Sequence, residues 1–289
     1  MKLPGKIDLH MHTSVSDGTD TPEEIIEKVR EANIELFSVT DHDAIKGCSI
    51  VMGHRKNEDP VFITGIEFSC KDEEGQYHIL GYGYDPEAEA IRDTVNEGHE
   101  LRLSKLRERL DFLESKFGFR FSAADREGLF ALDNPGKPHI ANLMVRHGYA
   151  ATKESAFRDY LNLYHAGSAY IRPETAVQAI LKSGGVPVLA HPSYGRGDEI
   201  IVGEAMERRL RKLIGFGLQG IEAFYSGFTP KLISELLAFA GRYDLLITAG
   251  SDYHGQNKLV HLGDTNLPDK NDFPEGLLRF LQKICGQTN

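Results

Sequence analysis

Short apolar runs of strand length alternate with amphipathic helical patterns through residues 1–84, and the alternation resumes from residue 170 to the end. The first run, Ile7-Asp8-Leu9-His10, closes on polar residues. Thr21-Pro22-Glu23-Glu24 then opens a helix: Thr21 can cap, Pro22 suits the first turn, and Glu24 completes a capping box. Ile25, Ile26, Val29 and Ala32 fall on one face of that helix. Strands are expected at Leu36–Val39, Val61–Ile66 and Tyr77–Tyr84. Later units join helix 173–183 to strand Val186–Leu189, helix 204–216 to Gly220–Ala223, and helix 230–241 to Leu245–Thr248, before a last helix near 274–284. Between the two stretches, residues 85–169 read as mostly helical, with a long charged pattern from Glu87 to Lys116. Repeated strand–helix units imply a parallel sheet. A (β/α) barrel over 1–84 and 170–289, interrupted by a helical insertion at 85–169, satisfies this order.

The polar residues give the frame its chemistry. His10 and His12 flank Met11 at the end of the first strand, so their side chains point to the same side. Asp41 and His42 follow the second strand, Glu67 follows the third, and His78 lies in the fourth. His191 ends Val-Leu-Ala-His, and Asp252 and His254 end Thr-Ala-Gly-Ser-Asp-Tyr-His. Nearly every strand thus delivers a potential metal ligand at its C-terminal end, where barrel enzymes build their active sites. One His-X-His pair alone is weak evidence. So many imidazoles and carboxylates at one end of an apolar barrel would leave buried polar groups unpaired, at several kcal/mol, and divalent cations resolve that cost. Asp41 and Asp43 flank His42; Asp41 suits an outer carboxylate orienting a ligand histidine, and either suits a plain helix cap.

Composition narrows the classes. The 289 residues carry a formal charge of −10, which repels the backbone of long nucleic acids. No apolar run approaches the ~20 residues a membrane span needs, and the N-terminal segment lacks the apolar core of a secretory signal. Cys48, Cys70 and Cys285 are odd in number and lack metal-site spacing, reading as free thiols in a reducing compartment. A cytoplasmic enzyme with no membrane partner is the expectation.

Asp8-Leu9-His10-Met11-His12-Thr13, Ser16-Asp17-Gly18, Thr40-Asp41-His42-Asp43, Gly65-Ile66-Glu67, Ala190-His191-Pro192 and Ser251-Asp252-Tyr253-His254 together resemble the PHP (polymerase and histidinol phosphatase) family. The resemblance covers the chain outside the insertion. It implies a distorted (β/α)7 TIM-like barrel holding three divalent ions, Mn, Fe or Zn, and a phosphoesterase activity. Carried over, His10, His12, Glu67 and Asp252 would hold one ion; Glu67, His78 and His191 a second; and Asp17, His42 and His254 a third. Many members have histidine where Asp17 stands, and an aspartate remains a competent oxygen ligand. A water shared between two cations loses a proton near neutral pH and becomes the nucleophile. Asp252 is the candidate catalytic residue that accepts or relays that proton, or else is a purely structural ligand.

The insertion is the candidate for specificity. From Arg102 through Arg146 it holds nine Lys/Arg against six Asp/Glu. Gly136-Lys137-Pro138-His139 enters a helix and resembles a segment of the PHP subgroup acting on small phosphorylated riboses and nucleotides. Cations at a helix N-terminus suit phosphate, so Arg102, Lys137 and His139 are expected to contact a second phosphate, with Arg196 a weaker candidate. Tyr82 and Tyr84 could stack on a base, or simply pack at the rim. Leu101, Leu106, Leu110 and Leu113 are core positions.

Within the resemblance, the leading substrate is a five-membered cyclic phosphate on a phosphoribose (of the phosphoribosyl 1,2-cyclic phosphate kind), opened and then freed of its monoester phosphate. The alternatives are a 3′,5′-nucleoside bisphosphate phosphatase or short-RNA 5′–3′ exonuclease, and a histidinol phosphatase. A metal-stabilised interaction module without activity is the rival from another class.

Overall fold

A computed structural model describes residues 3–164, 170–195 and 199–286. Strand β1 (Ile7–Asp8) leads to helix α1 (Pro22–Glu31), β2 (Leu36–Phe37), α2 (Lys46–His54), β3 (Val61–Phe62), β4 (Gly65–Lys71) and β5 (Gln76–Tyr82). The insertion supplies α3 (Glu89–Phe117), α4 (Ala123–Phe130), α5 (Lys137–Arg146) and α6 (Lys153–Asp159). Then come α7 (Pro173–Lys182), β6 (Val186–Leu189), α8 (Gly203–Gly215), β7 (Gly220–Tyr225), α9 (Pro230–Arg242), β8 (Leu246–Gly250) and α10 (Glu275–Cys285). The capping box forms: the Thr21 N–H donates to Glu24 Oε2 at 2.7 Å and the Glu24 N–H to Thr21 Oγ1 at 3.2 Å. Ile25, Ile26 and Val29 are buried as the periodicity requires.

Two features depart from expectation. The 61–66 strand is broken, because the chain leaves β3 and steps at Ile63–Thr64 into a second sheet that begins with β4. β5 runs antiparallel to both β4 and β6 instead of parallel. A turn across Asp72–Gly75, with the Asp72 N–H bonded to the Gly75 carbonyl at 3.0 Å, is too short for the crossover a parallel neighbour needs. Pairing is therefore mixed, as β1-β2-β3 and β4-β5-β6-β7-β8. These sheets do not merge into one continuous ladder. Isolated bridges Met11–Tyr253 and His42–Glu67 join them at the two seams, and both seams bear residues of the candidate site.

One apolar cluster packs the five-stranded sheet against α7 to α10. A second lies between the three-stranded sheet and α1 and α2. A third, made only of residues between Leu106 and Leu161, belongs to the insertion and includes Leu106, Leu110 and Leu113. Tyr82 and Tyr84 are buried, donating their hydroxyls to the carbonyls of Leu9 and Gly65 at 2.9 Å each. Neither is placed to stack on a base.

Candidate metal centre

The centre is assembled around Glu67. Inside β4, its buried carboxylate lies 3.4 Å from His10 Nε2, 3.2 Å from His12 Nε2, 3.0 Å from His42 Nδ1, 3.0 Å from His78 Nδ1 and 3.2 Å from His191 Nε2. Burial alone would raise the Glu67 carboxyl, but His78, His42 and His10 around it hold it well below its ordinary range. Asp252 Oδ1 lies 3.5, 3.4 and 3.3 Å from nitrogens of His10, His12 and His254. Asp17 Oδ1 lies 3.3 Å from His254 Nε2. All nine side chains singled out from sequence meet at one end of the sheets.

The donors fall into three sets: His12, Asp17, His42 and His254; His10, His12 and Glu67; and His42, Glu67 and His78. Within each, one ligand atom per residue lies within 4.8 Å of the others. Two nitrogen pairs converge without a carboxylate between them, His10 Nε2 on His12 Nε2 at 3.2 Å and His78 Nδ1 on His191 Nε2 at 3.1 Å. Separations near these values suit two ligands of a single ion at about 2.1 Å each. Asp17 Oδ1 is buried and makes no hydrogen bond despite His254 nearby, the signature of a donor aimed at a cation. Mixed imidazole nitrogen and carboxylate oxygen suits Mn, Fe or Zn. The residues fit divalent metal.

A rigid outer layer holds these donors. Glu222, in β7, accepts from His10 Nδ1 on Oε1 at 2.9 Å and from the His191 N–H on Oε2 at 2.7 Å. Tyr225 OH and Lys258 Nζ donate to Asp252 Oδ2 at 2.9 and 2.5 Å, leaving Oδ1 facing the imidazoles. Asp8 takes the N–H and hydroxyl of Ser251 and the Gly263 N–H. His191 and Asp252 both sit at positive φ, 27° and 58°, backbone strain of the kind that functional sites sustain. At Gly250, any Cβ would run into the side chain and backbone of His10.

A PHP domain model matches residues 8–214. The chain belongs to the PHP family. Like its PHP relatives it is a metal-dependent phosphoester hydrolase, as the sequence motifs implied. It is 30% identical over 260 residues to a 3′,5′-nucleoside bisphosphate phosphatase of Chromobacterium violaceum, covering 86% of this chain and 87% of that protein. It is equally 30% identical over 270 residues to a phosphoribosyl 1,2-cyclic phosphate 1,2-diphosphodiesterase of Eggerthella lenta, covering 89% and 97%. A crystal structure of a protein from Bifidobacterium adolescentis, assigned as a metal-dependent phosphoesterase, superposes with a TM-score of 0.79 at 28% identity over 96% of each chain.

Of the residues expected to meet a second phosphate, Arg102 and Lys137 line a cleft beside the PHP centre. Arg102 lines it, with Nε on Asp43 Oδ2 at 2.6 Å and a terminal nitrogen on Ser69 Oγ at 2.9 Å. Lys137 lines it too, with Nζ on Asn162 Oδ1 at 3.0 Å. His139 turns Nδ1 back to the Gly136 N–H at 3.1 Å. Arg196 lies outside the described residues. Asp41 neither caps a helix nor bonds a ligand histidine; it takes the N–H and hydroxyl of Thr13 and the Ser16 hydroxyl, shaping the turn that carries Asp17. Asp43, at φ 47°, takes the Ser69 N–H and Arg102. Sequence reading missed Glu222, Tyr225 and Lys258. A carboxylate inside the otherwise apolar strand Gly-Ile-Glu-Ala-Phe was the available signal for the first.

Proposed function

We propose that this chain hydrolyses small phosphorylated ribose compounds, with three divalent ions held by His10, His12, Asp17, His42, Glu67, His78, His191, Asp252 and His254. The observation carrying the proposal is the meeting of five imidazoles on the single carboxylate of Glu67, flanked by Asp252 and Asp17. Bound ions would supply an acidified water as nucleophile and neutralise charge developing on the phosphoryl oxygens. The protein's part is to place the donors and the ester. Glu222 orients the His10 ring, and Tyr225 with Lys258 fixes Asp252 so that one oxygen alone faces the reacting region. Asp252 there serves as ligand and proton relay.

Residues 85–169 act in this proposal as a cap on a distorted barrel. Their own apolar cluster supports a separate packing unit, and Arg102, Lys137 and Pro138 line the cleft shared with Asp17, His42 and His78. Arg102, Lys137 and His139 are its proposed contacts to a second phosphate. The five-membered cyclic phosphate of a phosphoribose is the first reading, because three adjoining donor sets suit opening a diester and then removing the monoester. A 3′,5′-nucleoside bisphosphate is the second, favoured by the cations lining the cleft. Rates of manganese-loaded protein on phosphoribosyl 1,2-cyclic phosphate and on adenosine 3′,5′-bisphosphate decide between them. Turnover of neither, with metal bound, would leave the interaction-module reading standing.

A further inference from the structure

Two members of the donor set His12, Asp17, His42 and His254 stand on loops: Asp17 in a turn at residues 14–17, and His254 in the segment that follows β8. That segment grips the turn. The Gln256 N–H donates to Thr19 Oγ1 at 3.0 Å, and Asn257 Nδ2 donates to the Asp17 carbonyl at 2.7 Å. Gly255, at φ 63°, permits the close approach, because any Cβ there would meet Thr19. The other amide atom of Asn257 is also used: Oδ1 accepts from Lys153 Nζ at 2.8 Å. Lys153 opens α6 and so belongs to the insertion. The amide has one orientation here, since an ammonium only donates and a carbonyl only accepts. A single side chain thus joins the insertion to the backbone of a candidate ligand. Between the two lies a cavity lined by Asp17, His42 and His254 on one side and by Pro138, Lys153 and Phe157 on the other.

We propose that Lys153 and Asn257 are positioning residues that make the grip of His12, Asp17, His42 and His254 on their ion depend on the seating of the insertion. This rests on the three-ion, capped reading above and deepens it by naming how the cap controls the centre. Asp17 Oδ1 lies 3.3 Å from His254 Nε2 and makes no hydrogen bond, so the turn that carries Asp17 sets where this oxygen points. Asn257 follows His254 by three residues, and its amide therefore fixes the spacing of both ligands, one through the chain and one through the Asp17 carbonyl. The Lys153 ammonium restrains that amide and polarises it as a donor. Without it, Asn257 gains rotameric freedom and the Asp17 turn loses its anchor. The sets His10, His12, Glu67 and His42, Glu67, His78 take their carboxylate from inside β4 and are held by the sheet. Coupling of this kind is reciprocal: an ion in the loop-borne set holds the insertion down as strongly as the insertion holds the ion.

The test is calorimetric titration of manganese into the metal-free full chain, for the wild type, Lys153→Met, Lys153→Arg and Asn257→Ala. The wild type should take up three ions. Lys153→Met and Asn257→Ala should each weaken one of the three about 10-fold and leave the other two as they are in the wild type. Lys153→Arg keeps a cationic donor and should recover most of the loss. Any deficit of Lys153→Met in turnover of a phosphate ester should vanish at saturating manganese, which damage to the fold or to ester contacts would not allow. Hydrogen exchange reads the reciprocal effect: manganese should slow exchange in α6 of the wild type and not in Asn257→Ala. Three ions held equally well by the wild type and both truncated variants overturn the coupling, as does a deficit that manganese does not repair. A wild type that binds fewer than three ions would instead refute the three-ion reading, so the two failures are distinguishable.

Discussion

Glu222 holds the His10 ring on one oxygen and the His191 backbone N–H on the other. Removing its charge without changing its size isolates that role. Glu222→Gln should lower metal affinity or kcat/KM about 10- to 100-fold, in line with other carboxylates behind ligand histidines, as measured by metal retained after dialysis alongside steady-state rates. Most of the candidate ligands stood out in sequence because they lie at or near strand ends in motifs, whereas His78, inside β5, belongs to none of those motifs. Glu222 and Tyr225 did not, because their roles depend on β7 meeting His10, 212 positions from Glu222, and Asp252, 27 positions from Tyr225; Lys258 bonds Asp252 only 6 positions away but stands in no motif.

At the level of elements, local signals read well and strand direction did not. The Thr21–Glu24 box was visible in four residues and forms as expected; Thr21→Ala should cost about 1 kcal/mol, read from urea unfolding. α2 escaped notice because its first residue follows Ile45, which offers no side-chain cap. The direction of β5 was hidden because apolar content marks a strand without saying which way it runs; the turn at 72–75 decides that. On α3, Lys105 carries a linkage prediction. Its ordinary value of 10.5 falls to about 7 on folding, so the unfolded chain binds more protons between those limits and stability rises with pH across that window. The contribution is lost as pH falls toward 7. Relative to Lys105→Met, the wild type should gain at most about 1.4 kcal/mol per pH unit between 7 and 10.5, checked by urea unfolding at pH 7.5 and 9. Equal slopes for the two proteins would contradict this.

For the whole molecule, the seams matter most. The two sheets touch through bridges at Met11–Tyr253 and His42–Glu67, and the candidate ligands lie on or beside both, so metal would tie together what the β ladders leave separate. Among the described residues no helix is long and apolar enough to cross a membrane. Free metal at a hundred times its Kd should stabilise the fold by about 2.7 kcal/mol, visible as a lower Tm after chelation that manganese reverses. An unchanged Tm would argue that the seams hold without it. The most direct measurement is an anomalous-scattering map from crystals grown with manganese. The account predicts strong peaks among the Glu67, Asp252 and Asp17 carboxylates, each reached by the imidazoles named above. A map without peaks there, from protein active on phosphate esters, would contradict it.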